Sequence, residues 1–370
     1  MGVGPQHSLK DQHNKISREY AMKTLRLSVG GMPGRGLGAA VALGAATTLA
    51  GPAQATNVSF MMDWAWQGPQ AFALMARDAG CFAEGGVNIT LDRGFGSGRV
   101  PVELASGTYD MGVGDINSTI RFLAENPESD VIAVAIIYAG SPLVAISRAD
   151  GPIAEPADFA GRTLAAPDFD AGRQLFPILA EANGIDLESI NWISVSPELR
   201  EPMLVRGEAE AITGFVTSAV PSLMALGMAE EDLRIFPYAD FGAALYSNAI
   251  QVTRRFAEAN PEAVATVVSC MIQGVQMVVA DPEAGIDALV AHEPLTDAEV
   301  ELGRLLMAID VLFRTEDTIE NGIGHADMEF LQAGIIAVEN AYGLPNALQA
   351  EDLFDASFLP PAEERMFLSN

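Results

Sequence analysis

Gly107-Thr108-Tyr109-Asp110-Met111-Gly112-Val113-Gly114-Asp115, running into Ile116-Asn117-Ser118-Thr119-Ile120, is a short β-like run that turns into an amphipathic helix through a cluster of Asp, Asn and Ser. A strand that feeds a helix at such a turn is the unit of a parallel α/β sheet, and the same unit recurs on both sides of this stretch. The spacing predicts strands at Val58 to Met62, Val87 to Leu91, Tyr109 to Val113 and Val131 to Ile137. Helices are predicted between them at about Gln70 to Ala79, Val100 to Ala105 and Ile116 to Glu125. Every strand ends in a loop rich in Gly, Asp, Ser or Asn, where open α/β sheets place their ligands.

A second set follows. Strands are predicted at Thr163 to Ala166, Ile190 to Val195, Ala209 to Ile212 and Arg234 to Phe236, alternating with helices at about Ala171 to Ala182, Leu199 to Val205 and Ala219 to Leu226. The chain then returns through Asn248-Ala249-Ile250-Gln251-Val252 into a helix-rich tail, in which Asn260-Pro261-Glu262 has the composition of an N-cap and first turn. The middle segment therefore reads as an insertion. The expected layout is one lobe from residues 56–144 plus 246–370, a second from 145–245, and a cleft between two doubly wound sheets.

Upstream, Leu37-Gly38-Ala39-Ala40-Val41-Ala42-Leu43-Gly44 continues to Ala50 as a short apolar run, with Lys23, Arg26 and Arg35 before it and Ala53-Gln54-Ala55 after it. Positive charge, a run too short to anchor in a bilayer and small residues at the cleavage positions read as an export signal. The mature protein is expected to begin near Thr56, and Met22 heads a leader of ordinary length. No Cys follows the run to carry a lipid, and no later apolar run is read as membrane-spanning. A soluble periplasmic monomer is the expectation.

Without the first 55 residues the chain holds 15 basic residues against 47 acidic ones. A field of that sign repels phosphate backbones and anionic lipid, so nucleic acid and membrane surfaces are disfavoured partners. Every basic residue after Lys23 is Arg. No lysine is left for a Schiff base or for a phosphate-binding loop. Only His292 and His325 remain among the histidines, and neither belongs to a spaced metal motif, so no metal or cofactor is expected. Cys81 and Cys270 each sit among apolar neighbours, which favours separate core packing over a disulfide.

Asp63-Trp64 and Ala76-Arg77-Asp78-Ala79-Gly80-Cys81-Phe82-Ala83-Glu84-Gly85-Gly86-Val87 resemble the exported substrate-binding proteins of ABC importers in the NMT1/THI5-like group, which take nitrate, taurine, alkanesulfonates and thiamine pyrimidines. The resemblance continues through Gly94 to Gly98, Gly107 to Asp115, Pro156 to Leu164 and Leu204 to Ile212, in the family's order over most of the mature chain. It implies the two-lobed type II periplasmic-binding fold, a small-molecule ligand, an ABC permease as partner and capture without chemistry. Cys81 stands where the family usually has Tyr. Trp66-Gln67-Gly68-Pro69 stands where pyrimidine binders tend to carry Asn and His.

Candidate ligand residues follow from the strand ends. Trp64 and Trp66 come directly after the first strand, where rigid rings supply contact area at little entropic cost, and alternation sends both to one side if the segment is extended. Asp63 suits a ligand amine or a turn, and Gln67 shares the same loop. Ser97 lies in the glycine-rich step, whose amides suit an anion; Arg99 breaks the dinucleotide pattern there. Asp115 and Asn117 start the next helix, with capping the simplest role for Asp115. From the second set come Asp168, Arg173, Phe215 and Tyr238, with Glu198, Arg200 and Thr217 at equivalent rim positions. Arg173 and Arg200 suit a sulfonate or carboxylate, or ion pairs with Asp170 or Glu201. The expected ligand is a thiamine-pyrimidine precursor or related nitrogen heterocycle. A small organic anion such as taurine, alkanesulfonate or nitrate is the alternative, and a pyrimidine synthase-like enzyme is disfavoured by the missing lysine.

Overall fold

A computed structural model describes residues 55–345 and 347–367. The expected export signal lies outside these residues. Ten strands form two five-stranded sheets, ordered β2-β1-β3-β10-β4 and β7-β6-β8-β5-β9. The first holds β1 (Thr56–Met61), β2 (Val87–Asp92), β3 (Met111–Asp115), β4 (Val131–Ile136) and β10 (Asn248–Thr253); the second holds β5 (Leu143–Arg148), β6 (Thr163–Ala166), β7 (Asn191–Ser194), β8 (Ala211–Phe215) and β9 (Leu233–Pro237). β3 runs directly into the Ile116–Glu125 helix, with Asp115 accepting the Asn117 backbone N–H at the cap.

All-parallel pairing does not hold. β10 runs antiparallel to β3 and β4, and β5 antiparallel to β8 and β9. Each of these is a strand that arrives from the other sheet and so enters against the local direction. The Leu143–Arg148 strand was not among the predicted ones. β3, β4 and β10 are buried along their whole length, as helices on both faces require.

The first sheet packs beneath the Pro261–Ala280 helix, which contributes Val264, Val267, Val268, Met271 and Val275 to a core shared with Phe60, Phe72 and Val113. This helix corrects the expectation that no later apolar run has spanning length: it has 20 residues and a mean hydropathy of 1.8. At least half of that run is buried inside the fold, so it is a core helix here. It lies so close to the Ala71–Asp78 helix that a Cβ on Gly274 would stand 2.1 Å from the Phe72 carbonyl oxygen. At its start Asn260 makes no side-chain cap, and its amide donates instead to the Phe256 carbonyl.

The same packing overturns the separate-cysteine expectation. The Cys81–Glu84 helix lies against the core helix, and Cys81 and Cys270 form a disulfide with Cα atoms 5.7 Å apart across 189 residues of sequence. A loop of that length is strongly constrained in the unfolded chain. The Cys81→Ser/Cys270→Ser double variant is expected to lose about 2–5 kcal/mol of stability. Urea melts with and without reductant check this, and a reductant-insensitive midpoint would argue against it.

Candidate ligand site

A narrow cavity, with about 20 Å³ of enclosed room in this closed arrangement, is lined from strand ends of both sheets. From the first sheet come Asp63, Trp64, Gln67, Pro69 and Gln70 after β1, Gly96 and Ser97 after β2, and Tyr138 after β4. From the second come Asp170 and Ala171 after β6, Arg200 after β7, and Phe215, Thr217 and Ser218 at β8 and the helix it feeds. The two sides touch at the rim: the Gly98 N–H donates to the Phe169 carbonyl at 3.1 Å, and Arg93 pairs with Glu198 at 3.1 Å. Gly96 makes that approach feasible. Its φ of +128° suits glycine, and a Cβ there would stand 2.3 Å from the Phe169 carbonyl oxygen.

Asp63 is 2% exposed. Its Oδ1 accepts from Gln70 Nε2 at 3.1 Å and its Oδ2 from Asn248 Nδ2 at 2.8 Å. Burial pushes its carboxyl above the ordinary value, and these bonds only partly oppose the shift. Because the carboxylate only accepts, both amides turn their nitrogens toward it. Gln70 Oε1 and Asn248 Oδ1 are left buried and unpartnered.

On the opposite wall Arg200 is 1% exposed. Nη1 donates to Asp170 Oδ2 at 3.0 Å, while Nε and Nη2 donate to Glu201 Oε1 at 3.0 and 2.6 Å. The guanidinium carbon stands 4.9 Å from the centre of the Trp64 ring. Gly214 leaves room for it, since a Cβ there would approach Nη1 to 2.3 Å. Asp170 also caps the Ala171–Asn183 helix, and burial outweighs Arg200 to hold its carboxyl above the usual range.

Of the residues expected at the site or its rim, Asp63, Trp64, Gln67, Ser97, Arg200, Phe215 and Thr217 line this cavity. The others stand elsewhere. Trp66 is buried in the first sheet's core with its ring edge-on to His292 at 4.9 Å, because residues 63–66 bend and the alternation that would pair it with Trp64 is lost. Asn117 donates to Asp115 at 3.0 Å and to the Tyr246 carbonyl at 2.6 Å. Asp168 is exposed and pairs with Arg173 at 2.7 Å, and Arg173 lies over Trp192. The Tyr238 hydroxyl donates to the Gly172 carbonyl at 2.8 Å inside the second lobe.

Asp115 is fully buried as the cap of its helix and also accepts from Ser247 Oγ at 2.9 Å. Burial raises its carboxyl to about 6. A raised carboxyl favours the folded state below the unfolded value near 4, and that contribution is lost as pH climbs from about 4 to 6. Asp115→Asn is expected to remove a slope worth on the order of 3 kcal/mol across that window. Urea midpoints at pH 4, 5 and 6 check it; parallel curves for variant and wild type would count against it.

Gln70, Tyr138, Ala171 and Ser218 were not expected at the site. Tyr138 follows a wholly apolar strand and reads as its end; its ring packs edge-on against Phe313 at 5.5 Å. Ser218 sits one turn into a helix. Local pattern offers no signal for either. Among the described residues no group of three or more His, Cys, Asp or Glu is placed to hold a metal ion.

The sequence profile for NMT1/THI5 like proteins matches residues 69–285, more than half of the chain. The chain belongs to the NMT1/THI5-like family. A formylaminopyrimidine-binding protein of Halalkalibacterium halodurans is 23% identical over 304 residues, which cover 81% of this chain and 90% of that protein. Among solved structures, the alkanesulfonate-binding protein of Xanthomonas axonopodis pv. citri bound to MOPS superposes with a TM-score of 0.61 at 14% identity, covering 82% of this chain and 99% of that one. The periplasmic aliphatic sulphonate binding protein of Escherichia coli gives 0.60 at 15% identity, with 80% and 97% covered. The likeness to these solved structures establishes the two-lobed periplasmic-binding fold, with one sheet in each lobe and the cavity between them.

Proposed function

We propose that this chain is an exported substrate-binding protein that captures a small amine-bearing nitrogen heterocycle, of the thiamine-pyrimidine class, and hands it to an ABC permease. It works as a periplasmic monomer by closure of two lobes, residues 56–144 plus 246–370 and residues 145–245, with no bond made or broken. One observation carries the ligand class: the cavity offers acceptors rather than free cationic donors. Asp63 and Gln70, whose buried Oε1 has no partner, line it as acceptors for ligand N–H groups, and the lining cation, Arg200, is already held by Asp170 and Glu201. Trp64 supplies the flat wall. Similarity to a formylaminopyrimidine binder supports the same class.

A sulfonate is the competing reading, because Arg200 lines the cavity. To bind one, Arg200 would have to leave two buried carboxylates, each then uncompensated in a low-dielectric interior. Catalysis through a lysine Schiff base has no residue to perform it after Lys23.

The test is a thermal-shift panel on the chain from Thr56 with aminopyrimidines, taurine, alkanesulfonates and nitrate. A ligand at about 100 to 1,000 times its dissociation constant stabilises by roughly 3–4 kcal/mol. An aminopyrimidine is expected to give that rise, and Trp64→Ala to remove it. A rise with sulfonates alone would reverse the ligand assignment.

A further inference from the structure

Outside the cavity, the Ala298–Ala308 helix carries a buried ion pair, Glu301 with Arg304, 2.9 Å apart. Its remaining bonds run in opposite directions. Glu301 Oε2 accepts the Gly68 backbone N–H at 2.7 Å, at the start of the short Gly68–Gln70 turn whose Pro69 and Gln70 line the cavity. Arg304 reaches the other lobe: its Nη1 donates to the Thr217 and Ser218 carbonyls and its Nη2 to Ser222 Oγ at 2.8 Å. Thr217 and Ser218 line the facing wall. The helix itself packs against both the Gly68–Gln70 turn and the Val216–Ala225 helix.

We infer that the Glu301–Arg304 pair is an interlobe clasp: it positions both walls of the ligand cavity at once and holds the closed arrangement. The inference rests on the proposed reading that the lobes open and close around a ligand. The Ala298–Ala308 helix follows the Pro282–His292 helix, which packs on the Ala71–Asp78 helix of the first lobe, so Glu301 and Gly68 move together. The bonds from Arg304 to the Val216–Ala225 helix are the ones that parting the walls must break. A guanidinium suits this, since one planar group holds Glu301 and still presents donors to three acceptors across the interface. Neither side chain is among the residues that line the cavity itself, although Arg304 borders the adjoining cleft that shares Trp64, Gln67, Arg200 and Ser218 with it, so both act as positioning residues.

The experiment reads lobe separation without any ligand, so its outcome is independent of ligand identity. Nitroxide labels on Ser106→Cys and Glu188→Cys, exposed positions in the first and second lobe, report the distance between lobes; Cys81 and Cys270 are joined and take no label. The wild-type protein is expected to show a short-distance population, and Arg304→Gln to lower the ratio of short to long by about 10-fold, a factor that corresponds to one lost charge-assisted hydrogen bond. Arg304→Lys, which keeps the charge, is expected to restore part of it. Ser222→Ala removes one acceptor without stranding a charge and is expected to lower the ratio about 3-fold, so a poorly folding Arg304 variant does not end the test. A wild type showing only the long distance, or a ratio unchanged in Ser222→Ala and in every folded Arg304 variant, overturns the clasp.

Discussion

Asp63→Asn is expected to weaken aminopyrimidine binding by about 100-fold or more while leaving the unliganded protein as stable as wild type, or more so. The two effects have different origins. A ligand N–H bonded to a buried carboxylate is a charge-assisted contact, and losing one costs about 2–5 kcal/mol when the partner group is left unpaired. At 1.4 kcal/mol per factor of ten, the middle of that range already exceeds 100-fold. The unliganded network, by contrast, can absorb the change. Gln70 and Asn248 each have an unpartnered carbonyl oxygen, so a half-turn of either amide presents an acceptor to the new Nδ2.

The pH dependence separates the two effects further. Burial raises the Asp63 carboxyl, so the folded state gives up stability as pH rises through that carboxyl's range, a loss that Asn does not suffer. Wild-type binding should fall as pH drops into the same range, because protonation removes the charge that holds the amine. Calorimetric titration with an aminopyrimidine between pH 4 and 8, beside urea melts of both proteins, checks this. Affinity retained in Asp63→Asn would remove the carboxylate from recognition.

Arg200→Met should be among the most damaging single changes to stability, with an expected loss of about 3–5 kcal/mol. The substitution keeps an apolar body beside Trp64 but leaves Asp170 and Glu201, both nearly sealed from water, without their cation. Breaking a buried pair exposes the full desolvation penalty of what remains; neutralising all of it does not. Arg200→Met combined with Asp170→Asn and Glu201→Gln should therefore recover much of the loss. Urea denaturation of the single and triple variants is the measurement. A single variant within about 1 kcal/mol of wild type would show that Arg200 carries no such role.

Much of the element pattern was legible locally. The Ile116–Glu125 helix, its Asp115 cap, and the strands at Thr163–Ala166 and Val131–Ile136 follow from periodicity and cap chemistry within a dozen residues. The place of Asp63, Trp64, Gln67, Ser97 and Phe215 at the cavity follows from standing just beyond or at the C-terminal end of a strand. Trp66 fails that rule because one bend outweighs alternation. Asp168, only two residues past β6, points to solvent while Asp170 turns inward, a choice settled by Arg200 arriving from β7.

Period, capping residues and turn composition act over a few bonds, so the chain by itself determined the alternation of strand and helix, the presence of two α/β sets and the acidic, lysine-free character after Lys23. Adjacency across long stretches of sequence belongs to packing. Only the tertiary structure decided that β5 and β10 run against their neighbours, that Cys81 meets Cys270, and that Arg200 faces Asp170 over Trp64. Those partners lie 30 to 189 residues apart, and the free energy that joins them comes from burying both sheets together, which no local window of sequence contains.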